Sequence, residues 1–323
     1  MIRFWIAAVL LLLPGAIRAE DYPTRPVTMV VAAAAGGPID VLARILAERM
    51  APSLGQSIVI ENLGGGGGVV GAQRVVRAQP DGYTTLLGTV ATHANPALYG
   101  KEAPYNPLTD FVDVALVAEI PLILITRKDF PADTVEDFVA YVKANPGKLN
   151  YGSAGIGSAA HLGCAMLEHA LGAQFQHVPY RGTGPAMQDL LAGRLDFICD
   201  IAVTALPNIK SGTVKGIANL SASRSPLLPQ LPTMVEKGYP AVSASTWAGL
   251  FLPKGTPAEL AAKLNAAIVS TMNSPGLAEQ LNDLAATPVS ADRRSQADLT
   301  GFVKSEWDKW GPIIRASASD AIR

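Results

Sequence analysis

Continuous apolar runs alternate with helical patterns along most of the chain. Residues 27–33 form such a run, which leads to Gly36 and Gly37 and then to Pro38, a residue favoured in the first turn of a helix. Apolar side chains then recur at helical spacing as far as Met50. A run without polar alternation is typical of a strand buried on both faces. The segment therefore predicts a buried parallel strand, a glycine turn and an amphipathic helix.

The same unit recurs further along the chain. An apolar run at 57–61 is followed by five glycines at 64–68 and a helical pattern, and a third strand is predicted at 84–88. Strands that alternate with helices predict an α/β fold with an open parallel sheet, in which ligands bind at the carboxyl ends of the strands. Two strand-like runs within 113–127 are interrupted by Pro121, where we expect a break. Further strands are predicted at 149–152, 176–178, 197–200, 216–220 and 244–251, and further helices at 135–145, 158–171, 184–192, 202–210, 257–273, 275–285 and 295–318.

Length and pattern together predict two domains. The chain has 323 residues, against roughly 150 for a typical domain. The alternation of strands and helices starts afresh after Pro121, and the last helices are expected to return to the first domain. We therefore predict a first domain from residues 20–121 and 244–323, and a second from residues 122–243. Two crossings between them would form a hinge over a cleft.

The start of the chain predicts a secretory signal peptide over residues 1–19. Arg3 precedes a short apolar run at 4–13, and Ala19 supplies a small residue for cleavage. The run is shorter than the ~20 residues of a membrane-spanning helix, so an uncleaved anchor is the less favoured alternative. We expect the mature protein in the periplasm of a Gram-negative cell.

Composition excludes several kinds of partner and site. Charged residues make up 16% of the chain and the formal net charge is -1, so nucleic acid and anionic membrane surfaces are not expected partners. The four histidines are scattered and no cysteine lies at ligand spacing, so no metal site is predicted. Cys164 and Cys199 fall in an apolar helix pattern and an apolar strand pattern. We interpret both as core residues and regard a disulfide as the less favoured state, because sequence does not give the distance between their Cα atoms.

The glycine run contains a dinucleotide-binding pattern that we reject. Residues 66–71 satisfy G-x-G-x-x-G, but five consecutive glycines match that pattern almost by default. The acidic residue expected ~20 residues further on for the ribose is missing, so no cofactor is predicted. The simpler hypothesis is that free N–H groups at a helix start hold a carboxylate.

A second glycine turn, at residues 151–158, resembles a nucleophile elbow without matching it. The elbow needs glycine two residues before the serine, and this position holds Tyr151. We interpret Ser153 and Ser158 as hydroxyl donors to an anion or as helix caps, with capping alone equally favoured for Ser158. His161 lies one turn into the following helix, where a packed histidine is favoured over a catalytic base.

Three further residues each allow two interpretations. Asp200 ends an apolar strand and is expected either to orient a ligand or to cap the next helix. Trp247 is placed either in the wall of the cleft or, more often for a tryptophan in a strand, in the core. Arg181 follows a strand and would either clamp a carboxylate or lie on the surface.

Several segments together resemble one protein family. They are residues 30–44 (VVAAAAGGPIDVLAR), 61–71 (ENLGGGGGVVG), 80–83 (PDGY), 92–99 (THANPALY), 149–162 (LNYGSAGIGSAAHL), 177–182 (HVPYRG) and 231–233 (LPT). Their order and spacing resemble the Bug-type solute-binding proteins of tripartite tricarboxylate transporters. The resemblance implies the two-domain type II periplasmic-binding-protein fold with a hinged ligand cleft. It further implies a monomer without catalytic residues, which closes on a small organic acid and delivers it to membrane permease subunits.

The resemblance also implies where the ligand is held. The first domain would contribute residues 34–39 and 66–69, and the second the turn after Ser153 and the strand end at Asp200. The full set of expected contacts is Ala34, Ala35, Gly36, Gly37, Ile39, Gly67, Gly68, Val69, Thr89, Ala91, Ser153, Ala154, Gly155, Ser158, Asp200 and Trp247.

The chain departs from the family at the expected pocket. Alanines occupy 32–35, where relatives usually have Pro-Phe-Ala-Pro, and Pro38 replaces a common glycine, which removes one N–H donor. Ile39 stands where threonine is frequent, and Ile201 where asparagine is frequent. We therefore expect a roomier, more apolar pocket that suits an aromatic or branched carboxylate better than a small polar diacid.

Two rival functions remain open at this point. A ligand sensor that presents its closed form to a membrane receptor would use the same pocket. An exported hydrolase would use Ser153 with a distant histidine, and this is the less favoured of the two.

Overall fold

A computed structural model describes the backbone of residues 22–321 and the side chains of residues 22–315. The predicted signal peptide lies outside the described residues. The strands are β1 (Val27–Val31), β2 (Ile58–Asn62), β3 (Thr84–Gly88), β4 (Phe111–Arg127), β5 (Asn150–Ser153), β6 (Gln176–Pro179), β7 (Phe197–Ile201), β8 (Val214–Asn219), β9 (Ser245–Pro253) and β10 (Thr287–Pro288). The α-helices are α1 (Pro38–Leu54), α2 (Val69–Val76), α3 (Val90–Ala94), α4 (Val135–Ala144), α5 (Ala159–Leu171), α6 (Thr183–Leu191), α7 (Ala202–Lys210), α8 (Ala258–Met272), α9 (Leu277–Asp283) and α10 (Gln296–Ala321).

The strands form one sheet in the order β2-β1-β3-β9-β4-β7-β5-β6, with β8 and β10 also paired to β4. Strands β1, β2 and β3 are parallel, as are β5, β6 and β7, which confirms the α/β class. The sheet is mixed rather than parallel throughout, because β9 runs antiparallel to both β3 and β4. The carboxyl ends of β1 and β2 in one half, and of β5 in the other, lead into glycine turns.

Strand β4 belongs to both halves of the sheet. Its first part pairs with β9 as far as Pro121 opposite Ser245, and its second part pairs with β7 from Leu122 opposite Ile201. The expected break at Pro121 is therefore wrong, since one strand continues through this residue. Pro121 is tolerated because it takes the last register position with β9, where a missing N–H costs only the end of that ladder.

Apolar side chains fill the space on the faces of the sheet. One core lies beneath α1, α8 and α9, and another extends from α2 through α10 to α4 and α5. Helix α10 packs against β4, α3 and α5, and so touches elements of both halves. In the part of the chain whose side chains are described, no helix combines the length and apolarity that a membrane crossing requires.

The two cysteines are bonded to each other, which corrects the sequence expectation. Helix α5 packs on β7, and this places Cys164 and Cys199 with their Cα atoms 5.5 Å apart in a disulfide. Both residues are fully buried, as expected. Their pairing depends on the depth at which α5 lies on the sheet, and that depth is a property of tertiary packing.

Candidate functional site

Glycine turns from the two halves of the sheet meet in backbone contact. Gly67 lies in the turn between β2 and α2, and Gly157 lies in the turn between β5 and α5. A side chain on Gly67 would overlap the carbonyl oxygen of Ile156 and lie 3.3 Å from the carbonyl carbon of Gly157. The place where these turns meet is the candidate ligand site.

The turn before α1 is organised by a buried carboxylate. Oδ2 of Asp40 accepts hydrogen bonds from the N–H of Gly36 at 2.8 Å and from Nε of Arg44 at 3.0 Å, and Oδ1 accepts from Nδ2 of Asn62 at 3.0 Å. Burial alone would raise the pKa of Asp40, but these bonds hold it below its ordinary value. The N–H of Gly36, an expected ligand donor, is therefore used by a carboxylate of the same chain.

The other predicted residues of this turn differ in exposure: some face solvent and one is buried in the core. Ala34 and Ala35 are exposed, and the N–H of Gly37 donates to the carbonyl of Ala34 at 3.3 Å. The side chain of Ile39 is buried in the core beneath α1, so it does not make the pocket more apolar as expected. Ile201 is half-buried and packs against two cores.

The turn after β2 winds into a short 3₁₀ helix, Gly66–Gly68, before α2 begins at Val69. Gly67 and Gly68 have φ of 59° and 93°, in the left-handed region that favours glycine. The carbonyl of Gly67 accepts a hydrogen bond from Nδ2 of Asn95 at 2.6 Å. Asn95 thus fixes the turn that precedes α2.

The predicted contacts Thr89 and Ala91 lie at the start of α3. Thr89 and Thr92 form a capping box, in which each side chain bonds the other residue's backbone. Both Thr89 and Ala91 are half-buried. The short helix positions the chain that leads to Asn95.

Two histidines support the turn after β5. Oγ of Ser153 lies 2.6 Å from Nε2 of His177 and accepts the N–H of Gly155 at 3.1 Å. Nδ1 of His161 accepts the N–H of Gly157 at 3.1 Å, and the centroids of the two imidazole rings are 4.4 Å apart. Burial lowers the pKa of His161 to about 4, and burial with the neighbouring His161 lowers the pKa of His177 to about 3. Both rings are therefore neutral supports at physiological pH, and His161 is packed as expected.

The serines of this turn have structural partners. Oγ of Ser158 accepts the N–H of His161 at 3.3 Å and caps α5. Ser153 has no exposed surface, whereas Ala154 and Gly155 are partly exposed beside it.

Asp200 is bonded to the segment that begins the next helix, although the N-cap residue of that helix is Ile201. Asp200 is fully buried at the end of β7, where Oδ1 accepts the N–H of Ile201 at 2.9 Å and Oδ2 accepts the hydroxyl of Thr204 at 2.6 Å. Burial raises the pKa of Asp200 to about 7.

Trp247 lies in the core. It has no exposed surface, and its Nε1 donates to Oε2 of Glu306 on α10 at 3.0 Å. The core interpretation fits this placement, and the cleft-wall interpretation does not. Arg181 is exposed, as the surface interpretation expects.

The structure thus brings together the predicted turns at 66–69 and 154–158 and adds residues that sequence reasoning missed. The missed residues are Asn95, Asp40 with Asn62, and His177 as the partner of Ser153. A signal was available for Asn95, because it precedes a proline just after a strand and a short capped segment. Among the residues whose side chains are described, no three His, Cys, Asp or Glu side chains form a group that would hold a metal ion.

Comparisons with known proteins identify the family of the chain. The sequence profile described as "Tripartite tricarboxylate transporter family receptor" (TctC) matches residues 42–318. Protein BugT of Bordetella pertussis is 35% identical over 307 residues, covering 94% of this chain and 92% of BugT.

Two solved structures are similar in fold and sequence. The periplasmic binding protein BugD has a TM-score of 0.84 and 41% identity, with 92% of this chain and 99% of BugD covered. MatC from Rhodopseudomonas palustris, solved with bound malate, has a TM-score of 0.84 and 40% identity, with 91% of this chain and all of MatC (100%) covered. The chain has the two-domain fold of these solute-binding proteins, and it belongs to the receptor family of the tripartite tricarboxylate transporters.

Proposed function

We propose that this protein captures a small carboxylate in the periplasm and delivers it to the membrane subunits of a tripartite transporter. The observation that carries the proposal is the meeting of glycine turns from both halves of the sheet at Gly67 and Gly157. Each turn leads into a helix, and N–H groups at helix starts favour anions. The similar protein MatC is described with bound malate, which is a carboxylate.

Closure of a hinge explains how such a site retains its ligand. A ligand that touches both glycine turns binds the closed form more tightly than the open form and shifts the population toward closure. In the proposed site, the ligand carboxylate is held by the backbone N–H groups of Gly67 and Ala154, because those of Gly68, Val69 and Gly155 already donate within the chain. Residues 34–35 line the entrance. Asp200, Ser158 and Trp247 are left out of the proposed ligand contacts, because their polar side-chain atoms are already bonded within the chain.

The domain boundaries remain part of the proposal. They are residues 20–121 with 244–323 for the first domain, and 122–243 for the second. The change of partner along β4, from Ser245 opposite Pro121 to Ile201 opposite Leu122, supports a hinge at this point. We further propose that residues 1–19 are a signal peptide and that the mature protein is a monomer.

Different observations support two classes of carboxylate as the ligand. The alanines at 32–35 and the half-buried Ile201 support an aromatic or branched acid, but the burial of Ile39 removes one argument for it. The malate bound to MatC supports a small diacid. The buried position of Ser153 supports binding rather than hydrolysis, because its hydroxyl has no exposed surface.

Thermal unfolding with a panel of acids tests the proposal. Residues 20–323 are melted alone and with succinate, malate, citrate, benzoate, phenylacetate and nicotinate. A ligand at ~100 times its dissociation constant adds ~2.7 kcal/mol, so we expect Tm to rise by roughly 5 °C with at least one carboxylate. The corresponding uncharged amides serve as the control and should leave Tm unchanged. Equal shifts with acid and amide, or no shift with any acid, would contradict carboxylate binding.

A further inference from the structure

A cavity of about 290 Å³ lies where the chain crosses between the two halves of the sheet. It is lined by Pro121 of β4 and by Ser245 of β9, which lie opposite each other in register. None of the residues that line it belongs to the glycine turns. The cavity is therefore separate from the candidate ligand site.

Both halves of the molecule contribute to the walls of this cavity. Residues 221–226 follow β8, which pairs with the second part of β4, and they supply Arg224. Residues 287–293 start with β10, which pairs with the first part of β4, and they supply Arg293. Two guanidinium groups from different halves therefore line one cavity, where an anion between them would attract both.

Each guanidinium group is bonded within its own half. Nη1 of Arg293 donates to Oε1 of Glu119 at 2.6 Å. Nε of Arg224 donates to Oε2 of Glu236 at 2.9 Å, and its Nη1 donates to the carbonyl of Pro229 at 2.7 Å. Among the described residues, Nε and Nη2 of Arg293 have no acceptor. These bonds hold the guanidinium groups in place and leave N–H donors for a further acceptor.

Hydroxyl groups add uncharged donors to the cavity. Ser223, Ser245 and Thr287 line it, and their hydroxyl groups form no hydrogen bond with the part of the chain that the structure describes. Guanidinium groups and hydroxyls are donors that suit the oxygens of phosphate and sulfate. Donors on several walls of one cavity suit a tetrahedral ion better than a planar carboxylate.

We propose that this cavity binds a small tetrahedral oxyanion, inorganic phosphate or sulfate, between Arg224 and Arg293. The site is additional to the carboxylate site and does not depend on which acid the protein carries. The carboxylate of Glu119 also lines the cavity, and its charge opposes the binding of the anion.

Calorimetry with inorganic phosphate and with sulfate tests the proposal at neutral pH, with sodium chloride at the same ionic strength as the control. We expect saturable binding of at least one of the two ions with a dissociation constant below about 1 mM, and none of chloride. The titration is repeated with the protein saturated by the carboxylate that gives the largest thermal shift, and the oxyanion should still bind. Displacement of the oxyanion by the carboxylate would overturn the inference, because the ion would then occupy the carboxylate site.

Variants of the two arginines locate the ion. Arg224→Gln and Arg293→Gln should each weaken its binding at least about tenfold, because each removes charge-assisted hydrogen bonds. Arg74→Gln is the matched control. The side chain of Arg74 is paired with Glu61 and 43% exposed, against 44% for Arg224 and 42% for Arg293, but it does not line the cavity. This control should keep the affinity within about twofold.

Glu119→Gln should change the affinity in the opposite direction. It removes the negative charge that the cavity presents to the ion, so binding should tighten about threefold or more. Damage to the fold would not produce tighter binding. Absence of binding by both ions, unchanged affinity in both arginine variants, or weaker binding in Glu119→Gln would overturn the inference. None of these results bears on the capture of a carboxylate, which the thermal unfolding panel tests separately.

Discussion

Gly67 and Gly157 are the two residues that allow the halves of the molecule to touch. Both have left-handed backbone, with φ of 59° and 77°. Both face neighbours that leave no room for a side chain. Glycine is therefore required at these positions by the backbone conformation and by the contact, and the two requirements can be separated experimentally.

Gly157→Ala should weaken ligand binding by at least about tenfold. The new methyl group overlaps the Asn95 amide in the closed form, whereas an open form relieves the overlap. Affinity is measured by calorimetry with the acid that gives the largest thermal shift.

The control for this substitution is Gly147→Ala. Gly147 has a similar φ of 70°, but a side chain there meets nothing within 4 Å. Both variants should lose roughly 1 kcal/mol of stability through the strained backbone, and Gly157→Ala alone should lose affinity. Equal affinities in the two variants would show that the turns do not need to meet for binding.

The glycine turns were predictable because glycine runs after apolar strands have a distinctive local pattern. The polar residues that organise those turns were not, because each reaches its partner through the fold. Asp40 meets Asn62 from the neighbouring strand, and His177 meets Ser153 from the strand beside β5. Sequence spacing gives no information about such pairs, whereas the parallel sheet aligns them at one edge.

At the scale of elements, the disulfide joins α5 to β7 and should stabilise the second half. It closes a loop between positions 35 residues apart, for which the chain-entropy relation gives about 3–4 kcal/mol. Reduction should lower Tm by about 5–10 °C in thermal unfolding followed by circular dichroism.

The double variant Cys164→Ala/Cys199→Ala controls for effects of the reductant. Its Tm should be low from the start and should not change when reductant is added. A wild-type Tm that is equally insensitive to reductant would mean that the bond contributes little to stability.

Most strands and helices follow from the hydrophobic pattern, and the exceptions have identifiable causes. Pro121 predicted that a strand ends at this residue, whereas β4 continues through it and changes its partner strand from β9 to β7. Strand β10 has two residues, Thr287–Pro288, too few for a periodic signal. Helix α3 has five residues and is fixed by its capping box rather than by an apolar stripe.

At the scale of the whole molecule, buried histidines should make stability fall as the solution becomes acidic. Burial lowers the pKa of His93 and His177 to about 3 and of His161 to about 4. Between pH 6.5 and 4 the unfolded chain binds protons on these residues that the native chain does not. Their stabilising effect is complete above pH 6.5 and is lost progressively below it.

Asp200 acts against this loss of stability at acidic pH, because its carboxyl group binds one proton in the native chain. Burial raises its pKa to about 7, so the native chain holds that proton in the same range and gains stability as pH falls from 7 toward 4. Three histidines outweigh one aspartate, and each excess proton in the unfolded chain changes stability by about 1.4 kcal/mol per pH unit.

Urea unfolding at pH 7.5, 6.0 and 5.0 measures this balance. Stability should decrease at each step, and His161→Gln should make the decrease shallower. His169→Gln, which changes an exposed histidine, should leave the profile unchanged. A stability that rises from pH 7.5 to 5.0 would contradict the assignment of neutral buried imidazoles.

The passage of the chain through β4 and back through β9 also sets an order of folding. Strands β5 to β8 pair with one another and with the second part of β4, and all of them lie within one continuous stretch of sequence. Strand β3 pairs with β9, which is synthesised much later, so this pairing cannot form until β9 is present. Closing a long loop costs more entropy than closing a short one, so distant pairings form late. As the chain leaves a ribosome or an export channel from its N-terminus, the half that begins first is therefore the half that is completed last.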